Sequence, residues 1–223
     1  MDGKNILILG GTGDAISIAE KLSLIGNYKI ITSLAGVTQK PRLPIGKAHI
    51  GGFGGREGLI NFLEANQINL IVDATHPFST QIKENAIFAS NELFVPIIHF
   101  VRDQWKMEIG DKWHMVDNLP EASNKLRELS STRKLKVFLT VGRKGLADFA
   151  DILNSKFVIR SIEKPSALEG FSRAEWIEGR GPFSFDNELK LLQQEQIDII
   201  VTKNSGGLSG NCLLYTSPSP RDP

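Results

Sequence analysis

The residues of this chain that could do chemistry sit where short apolar runs stop. Ile6-Leu7-Ile8-Leu9 runs into Gly10-Gly11-Thr12-Gly13-Asp14, and a helical pattern follows at once. Small residues there let a charged group reach the backbone, and the unpaired N–H groups and dipole of a helix start attract an anion. A second run, Asn69 to Val72, ends in Asp73-Ala74-Thr75-His76-Pro77-Phe78-Ser79. Asp73 and His76 are the candidate catalytic pair, since a histidine can give up a proton near neutral pH. A structural loop histidine before a proline is the plainer alternative. Three cations, Arg143, Arg180 and Lys203, follow later runs in turns of small residues. Guanidinium and ammonium groups at such turns bind carboxylates. The alternative is three unrelated surface charges.

The elements that must position these groups alternate between strand and helix. Lys4–Leu9 reads as a buried strand, Ala15, Ile18, Ala19, Leu22 and Ile25 mark a helix closed by Gly26-Asn27, and Lys29–Ser33 is the next strand. That is the β-α-β unit of a mononucleotide-binding half. Gly11 and Gly13 fill the first two glycine positions of a dinucleotide fingerprint, but Ile16 stands at the third. Lys47–Ile50 is a third strand, followed by Gly51-Gly52-Phe53-Gly54-Gly55 and a helix through Leu59, Ile60 and Leu63. Four glycines in five residues point to positive φ or close backbone approach. Ser79 stands where it can cap a helix through Ile82, Ala86 and Ala89, and Val95–Val101 is a fifth strand. Trp105 and Trp113 then read as cover for a domain edge. A weak helix spans Leu119–Leu129, and polar Ser130-Ser131-Thr132-Arg133-Lys134 reads as a linker.

The alternation restarts beyond that linker. Strands are expected at Leu135–Leu139, Phe157–Ile162, Trp176-Ile177 and Asp198–Val201, with helices through Leu146, Phe149 and Leu153 and through Leu189 and Leu192. The pattern is α/β, with parallel sheets. In such sheets ligands bind beyond the carboxyl ends of strands, so Arg143, Arg180 and Lys203 would share one edge. The last six residues hold three prolines, and no crossover helix follows Gly206-Gly207. Residues 208–223 therefore read as a tail foreign to the native frame, leaving domains at 1–130 and 131–207.

Composition narrows the classes. The chain has 223 residues, 41% hydrophobic and 23% charged, with a net charge of +1, so bulk charge argues for neither nucleic acid nor an anionic membrane. The single cysteine, Cys212, excludes an internal disulfide framework and a cysteine-built zinc site. Neither a leader nor a membrane-length apolar run is evident, and the expectation is a cytoplasmic protein. At the end of the second strand, a carboxylate would normally take the ribose of NAD. Thr32-Ser33-Leu34-Ala35-Gly36 stands there instead, with Lys40 and Arg42 just beyond. This tilts the cofactor toward the 2′-phosphate of NADP; a solvated loop with two ordinary cations is equally compatible.

Together, Leu9–Ala15, Thr32–Gly36, Pro41-Arg42-Leu43-Pro44, Gly51–Gly55, Asp73–Phe78, Thr140-Val141-Gly142-Arg143, Arg180-Gly181-Pro182-Phe183 and Thr202–Gly207 resemble the precorrin-6A reductase family, including its cobalt-precorrin-6A members. The match runs over about residues 5 to 207, and the order and spacing of the motifs carry its specificity. The resemblance implies two Rossmann-like three-layer domains with a cleft between them. It implies a hydride passed from NADPH, or NADH, to one carbon–carbon double bond of a corrinoid macrocycle, with a proton added at the neighbouring carbon. With the residue readings above, the expected cofactor-binding residues are Gly10, Gly11, Thr12, Gly13, Asp14, Ser33, Gly36, Lys40 and Arg42. A polycarboxylate substrate suits the basic edge, with Arg143, Arg180, Lys203, Asn204 and Ser205 as the expected substrate-binding residues and no metal ligand expected. Val37 departs from the family, which often has Arg there, and the usual helix and strand after Gly207 are missing. Two rivals stand beside this reading. A short-chain dehydrogenase lacks its Tyr and Lys four residues apart here, because Tyr28 and Tyr215 are followed at that distance by Thr32 and Ser219. A dinucleotide-binding redox sensor would have no need of the basic turns. The oligomeric state stays open.

Overall fold

Strands buried on both faces must be apolar at every position rather than alternating, and Ile6-Leu7-Ile8-Leu9 meets that demand. In the computed structural model, which describes residues 3–36, 43–181 and 183–207, these four side chains are at most 2% exposed. The contacts divide the chain into two compact units, Met1–Arg102 and Asp103–Pro223.

The first unit holds strands β1 (Asn5–Leu9), β2 (Lys29–Leu34), β3 (Lys47–Ile50), β4 (Leu70–Asp73) and β5 (Ile97–His99), with helices α1 (Gly13–Ile25), α2 (Gly55–Ala65) and α3 (Thr80–Leu93). All pairings are parallel and the strand order is β3-β2-β1-β4-β5. One face packs Leu7, Leu9 and Ile31 against Leu59 and Leu63 of α2 and Ala86 and Ala89 of α3. The other packs Ile6, Ile8 and Ile30 against Ala15 and Ala19 of α1. The register aligns His49, Ser33, Leu9, Asp73 and His99 in one row at the carboxyl edge.

The second unit holds helix α4 (Leu119–Ser130), strands β6 (Leu135–Leu139), β7 (Ser155–Ser161), β8 (Ala174–Glu178) and β9 (Ile199–Val201), and helix α5 (Phe185–Gln194). Its order, β8-β7-β6-β9, is again parallel and repeats the first four positions of the first sheet. Leu126 of α4 packs with Leu135, Val137, Leu139, Phe157 and Ile159 on one face. Leu192 of α5 packs with Phe138 and Val158 on the other. Both units are thus three-layer α/β folds with helices on both faces.

Four expectations are corrected. The division falls at Arg102/Asp103, not at residues 130–134, because α4 buries Leu126 in the second core. Residues 143–149 form two short 3-10 turns instead of a helix. Leu146 and Phe149, three apart, suit that period, and Leu153 is 69% exposed. β5 is confined to Ile97–His99. Ser79 occupies the N-cap position of α3 without a side-chain capping bond. The expected tail at 208–223 lies outside the described residues.

Candidate functional site

In both sheets the strand order reverses beside the first strand of the unit. Such a reversal opens a crevice at the carboxyl edge, where ligands of open α/β sheets bind. The first switch point lies between β1 and β4. Gly10 sits there for packing: a Cβ would lie 2.7 Å from Ser33 O and 2.9 Å from the Thr32 methyl. Gly11, at φ +100°, and Gly13 have no heavy atom within 4 Å of a would-be Cβ. The bare backbone lies at the start of α1, so this turn has room for a pyrophosphate, and its residues fit a dinucleotide. Thr12 is the N-cap: its hydroxyl accepts from Ala15 N–H (3.2 Å) and donates to Ala74 O (2.6 Å), tying the two lips of the crevice together. The close helix–sheet approach that a third glycine would permit is met by Ala15, fully buried against Gly10, so Ile16 is no obstacle. Asp14 does not stand as a lone carboxylate, since Arg102 donates to it from Nε (2.6 Å) and Nη2 (2.5 Å).

At the end of β2, Ser33 is buried, and Gly36 at φ +67° lies against Gly51, with 3.5 Å between its would-be Cβ and the Gly51 backbone. Gly51 N–H donates to Leu34 O (2.8 Å), so the two glycine loops are joined. Gly51, Gly54 and Gly55 all take positive φ, as the glycine density suggests. Lys40 and Arg42 lie outside the described residues.

Asp73 differs from its expected role. Its carboxylate is fully buried and accepts four hydrogen bonds: Thr75 N–H (3.1 Å) and Oγ (2.6 Å), Lys83 Nζ (2.9 Å) and His99 Nδ1 (3.0 Å). Burial alone would raise its pKa, but the Lys83, Thr75 and His99 bonds outweigh burial and hold it at about 2. A carboxylate that remains ionised and enclosed does not trade protons near neutral pH; it orients its neighbours. His76 is half-buried on the same edge, and its Nδ1 accepts from Phe78 N–H (3.3 Å). The sequence motifs do not include Lys83 or His99. The only clue to either is a buried aspartate's need for donors.

The second switch point lies between β6 and β9. Thr140 bridges it as Thr12 bridges the first, donating to Val201 O from N–H (3.0 Å) and Oγ (3.3 Å). Arg143 follows β6 and Lys203 follows β9, on neighbouring strands, while Arg180 follows β8 at the sheet's other end. All three leave the same edge. Burial and the charge of nearby Lys144 both push the Lys203 pKa down, so the β6 and β9 loops gather positive charge. Arg143 also holds Glu163 at 2.8 Å. Asn204 is spent on structure: its amide accepts from Trp105 N–H (2.9 Å) and donates to Trp105 O (2.9 Å). Trp105 Nε1–H in turn donates to Gly207 O (2.9 Å), so this tryptophan clamps the Lys203 loop rather than merely covering an edge. Ser205, in the same loop, is buried.

Behind the Arg180 turn is a pair that the motifs did not include. Arg160 and Glu188 are 7% and 2% exposed and joined by two bonds of 2.5 and 2.9 Å. The Arg160 guanidinium lies 3.7 Å from the Phe183 ring centre. Its sequence signal is a charge in an apolar strand, with Glu188 four residues before Leu192 on the buried face of α5. Among the described residues no cluster of His, Cys, Asp and Glu could hold a metal, and no helix is long and apolar enough to cross a membrane.

The family described as precorrin-6x reductase CbiJ/CobK matches residues 5–211. A "Precorrin-6A reductase" of Rhodococcus erythropolis is 40% identical over 202 residues, 91% of this chain and 79% of that protein. A "Cobalt-precorrin-6A reductase" of Priestia megaterium is 29% identical over 213 residues, 90% of this chain and 80% of that protein. The solved structure titled "CobK precorrin-6A reductase" superposes with a TM-score of 0.88 at 32% identity, covering 95% of this chain and 82% of that one.

Proposed function

The chain belongs to the precorrin-6x reductase family, and from that premise we propose that it reduces one carbon–carbon double bond of precorrin-6A, with NADPH as the hydride source. Identities of 40% to precorrin-6A reductases against 29% to a cobalt-precorrin-6A reductase favour the metal-free macrocycle. The observation that carries the cofactor assignment is the bare Gly11–Gly13 turn at the β1/β4 switch point. The pyrophosphate lies on the N-terminus of α1, with Arg102 offsetting the Asp14 charge that would repel it. Ser33 and Gly36 flank the adenosine half, and Lys40 and Arg42 take the 2′-phosphate. When bound, the nicotinamide supplies the hydride; the protein supplies orientation and charge.

The second unit binds the substrate's carboxylates. Lys203 and Lys144 form its cationic centre, Arg143 shares its charge with Glu163, and Arg180 reaches the far side of the sheet edge. Asn204 and Ser205 act through the loop that holds Lys203. Asp73 positions the β4–β5 edge through Lys83 and His99, and His76 stands on the same edge.

The test is an anaerobic assay with metal-free and cobalt-bearing substrates, following NADPH loss and the two-hydrogen mass gain of the macrocycle. Consumption of NADPH with precorrin-6A is expected. Lys40→Ala/Arg42→Ala should weaken NADPH far more than NADH, by roughly 1.5–3 kcal/mol for each lost charge-assisted bond. Binding of NADPH without reduction of either substrate would favour the redox-sensor reading.

A further inference from the structure

Two histidines, His76 and His99, stand at the carboxyl edge beyond β4 and β5, and His99 is held by a buried carboxylate. In a sheet of this order a dinucleotide lies across the crevice, with one half beyond β1 and β2 and the other beyond β4 and β5. His99 is level with Asp73 in the register. Its side chain is 36% exposed, whereas that of Asp73 is fully enclosed. An ionised carboxylate accepts only, so the Nδ1 facing Asp73 Oδ2 at 3.0 Å carries a hydrogen and donates it. Nε2 is then the nitrogen that gains and loses a proton. His76 is arranged the other way round. Its Nδ1 already accepts from Phe78 N–H, so a second proton on that ring would cost the bond. Among the described residues, the charged group bonded to His99 is Asp73 from β4, and Lys83 from α3, at 2.9 Å from the same Oδ2, favours the ionised form of Asp73.

We propose that His99, held by Asp73, is the proton donor of the reduction. The inference deepens the reading above and rests on it. One alkene carbon receives the hydride, and its neighbour takes the proton from Nε2 of the His99 imidazolium. The Nε2–H bond breaks, its electron pair stays on nitrogen, and a C–H bond forms. Asp73 retains its charge and its bond to Nδ1–H. The neutral imidazole recovers a proton from water at its exposed edge. Asp73 is a positioning residue in this step, fixing the tautomer and the plane of the ring.

The first experiment needs no substrate. Imidazole ¹⁵N NMR of the full chain should show neutral His99 with hydrogen on Nδ1, and Asp73→Asn should mix the tautomers. The second compares His99→Gln and His76→Gln in single-turnover reduction. His99→Gln should lower the rate by roughly 10²–10⁴-fold, with NADPH affinity unchanged. It should also flatten the pH–rate profile relative to the parent chain. His76→Gln should leave the shape of that profile unchanged. His99→Asn serves if the Gln variant does not fold. A parent chain that binds NADPH but reduces no corrinoid would overturn the functional reading and this role together. An active parent with a normal His99→Gln variant, or neutral His99 carrying its hydrogen on Nε2, would overturn the proton-donor role alone.

Discussion

Asp73→Asn should destabilise the first unit, and the size of the loss should depend on pH. The aspartate's pKa falls from an ordinary 3.8 to about 2 in the folded chain. At 1.36 kcal/mol per unit, that fall contributes about 2 kcal/mol of stability. The sign follows from proton binding. Above about pH 5 both folded and unfolded chains are ionised, and the full contribution is present. Between about pH 4 and pH 2 the unfolded chain binds a proton that the folded chain does not, so stability drains away. Below about pH 2 nothing remains of it. The amide introduced by Asp73→Asn would also turn an NH₂ group toward one side of a shell made entirely of donors. That mismatch adds roughly 1–3 kcal/mol. Urea unfolding followed by far-UV circular dichroism at pH 7, 5, 3.5 and 2.5 measures the gap between variant and parent. The gap should be about 3–5 kcal/mol at neutral pH and shrink by about 2 kcal/mol on acidification. The exposed pair Asp151–Arg127 supplies a control, because screening by water leaves such pairs worth little. A gap that stays constant from pH 7 to 2.5 would refute the claim that an ionised carboxylate holds this edge together.

The two glycines at the first turn should respond oppositely. Gly10→Ala forces a Cβ to within 2.7 Å of Ser33 O and should cost roughly 1–3 kcal/mol of stability. Gly13→Val meets open space, so it should fold normally and lose NADPH affinity in a fluorescence titration; unchanged affinity would remove the cofactor site. Glu188→Ala strands the buried Arg160 charge and should cost about 3–5 kcal/mol, whereas Arg160→Met/Glu188→Leu should recover most of that in thermal unfolding. Arg143→Ala and Lys203→Ala should raise the substrate KM, leave NADPH binding nearly unchanged and flatten the salt dependence of substrate binding. Normal substrate kinetics in both would end the shared-anion reading.

Much of the site was legible in the chain because it sits where local patterns break. A continuous apolar run followed by glycines marks a buried strand and its turn, whatever lies around it. That was enough to locate Gly11, Gly13, Asp73, Arg143 and Lys203 at strand exits. Parallel pairing then puts those exits on one edge. The alternation of strands and helices likewise carried the α/β class, and the order of the motifs carried the family.

What the chain alone left undecided are the partners of those residues, because partnership depends on neighbours far apart in sequence. Asp73 reads from the chain as one of a candidate catalytic pair, whereas the fold buries it and surrounds it with donors from Thr75, Lys83 and His99. Asp14 gained Arg102, 88 residues away, and Asn204 became a clamp for Trp105 across 99 residues. Gly10, read as making room for a ligand, is required by the strand beside it. The domain boundary also moved, because the polar stretch at 130–134 follows a helix whose Leu126 is buried in the second core. Sequence determines which side chains arrive at an edge, since periodicity and turn chemistry act over a few residues. Only the tertiary fold decides which of them stay charged, enclosed or exposed, since desolvation and hydrogen bonding are settled by strands and helices brought together from across the chain.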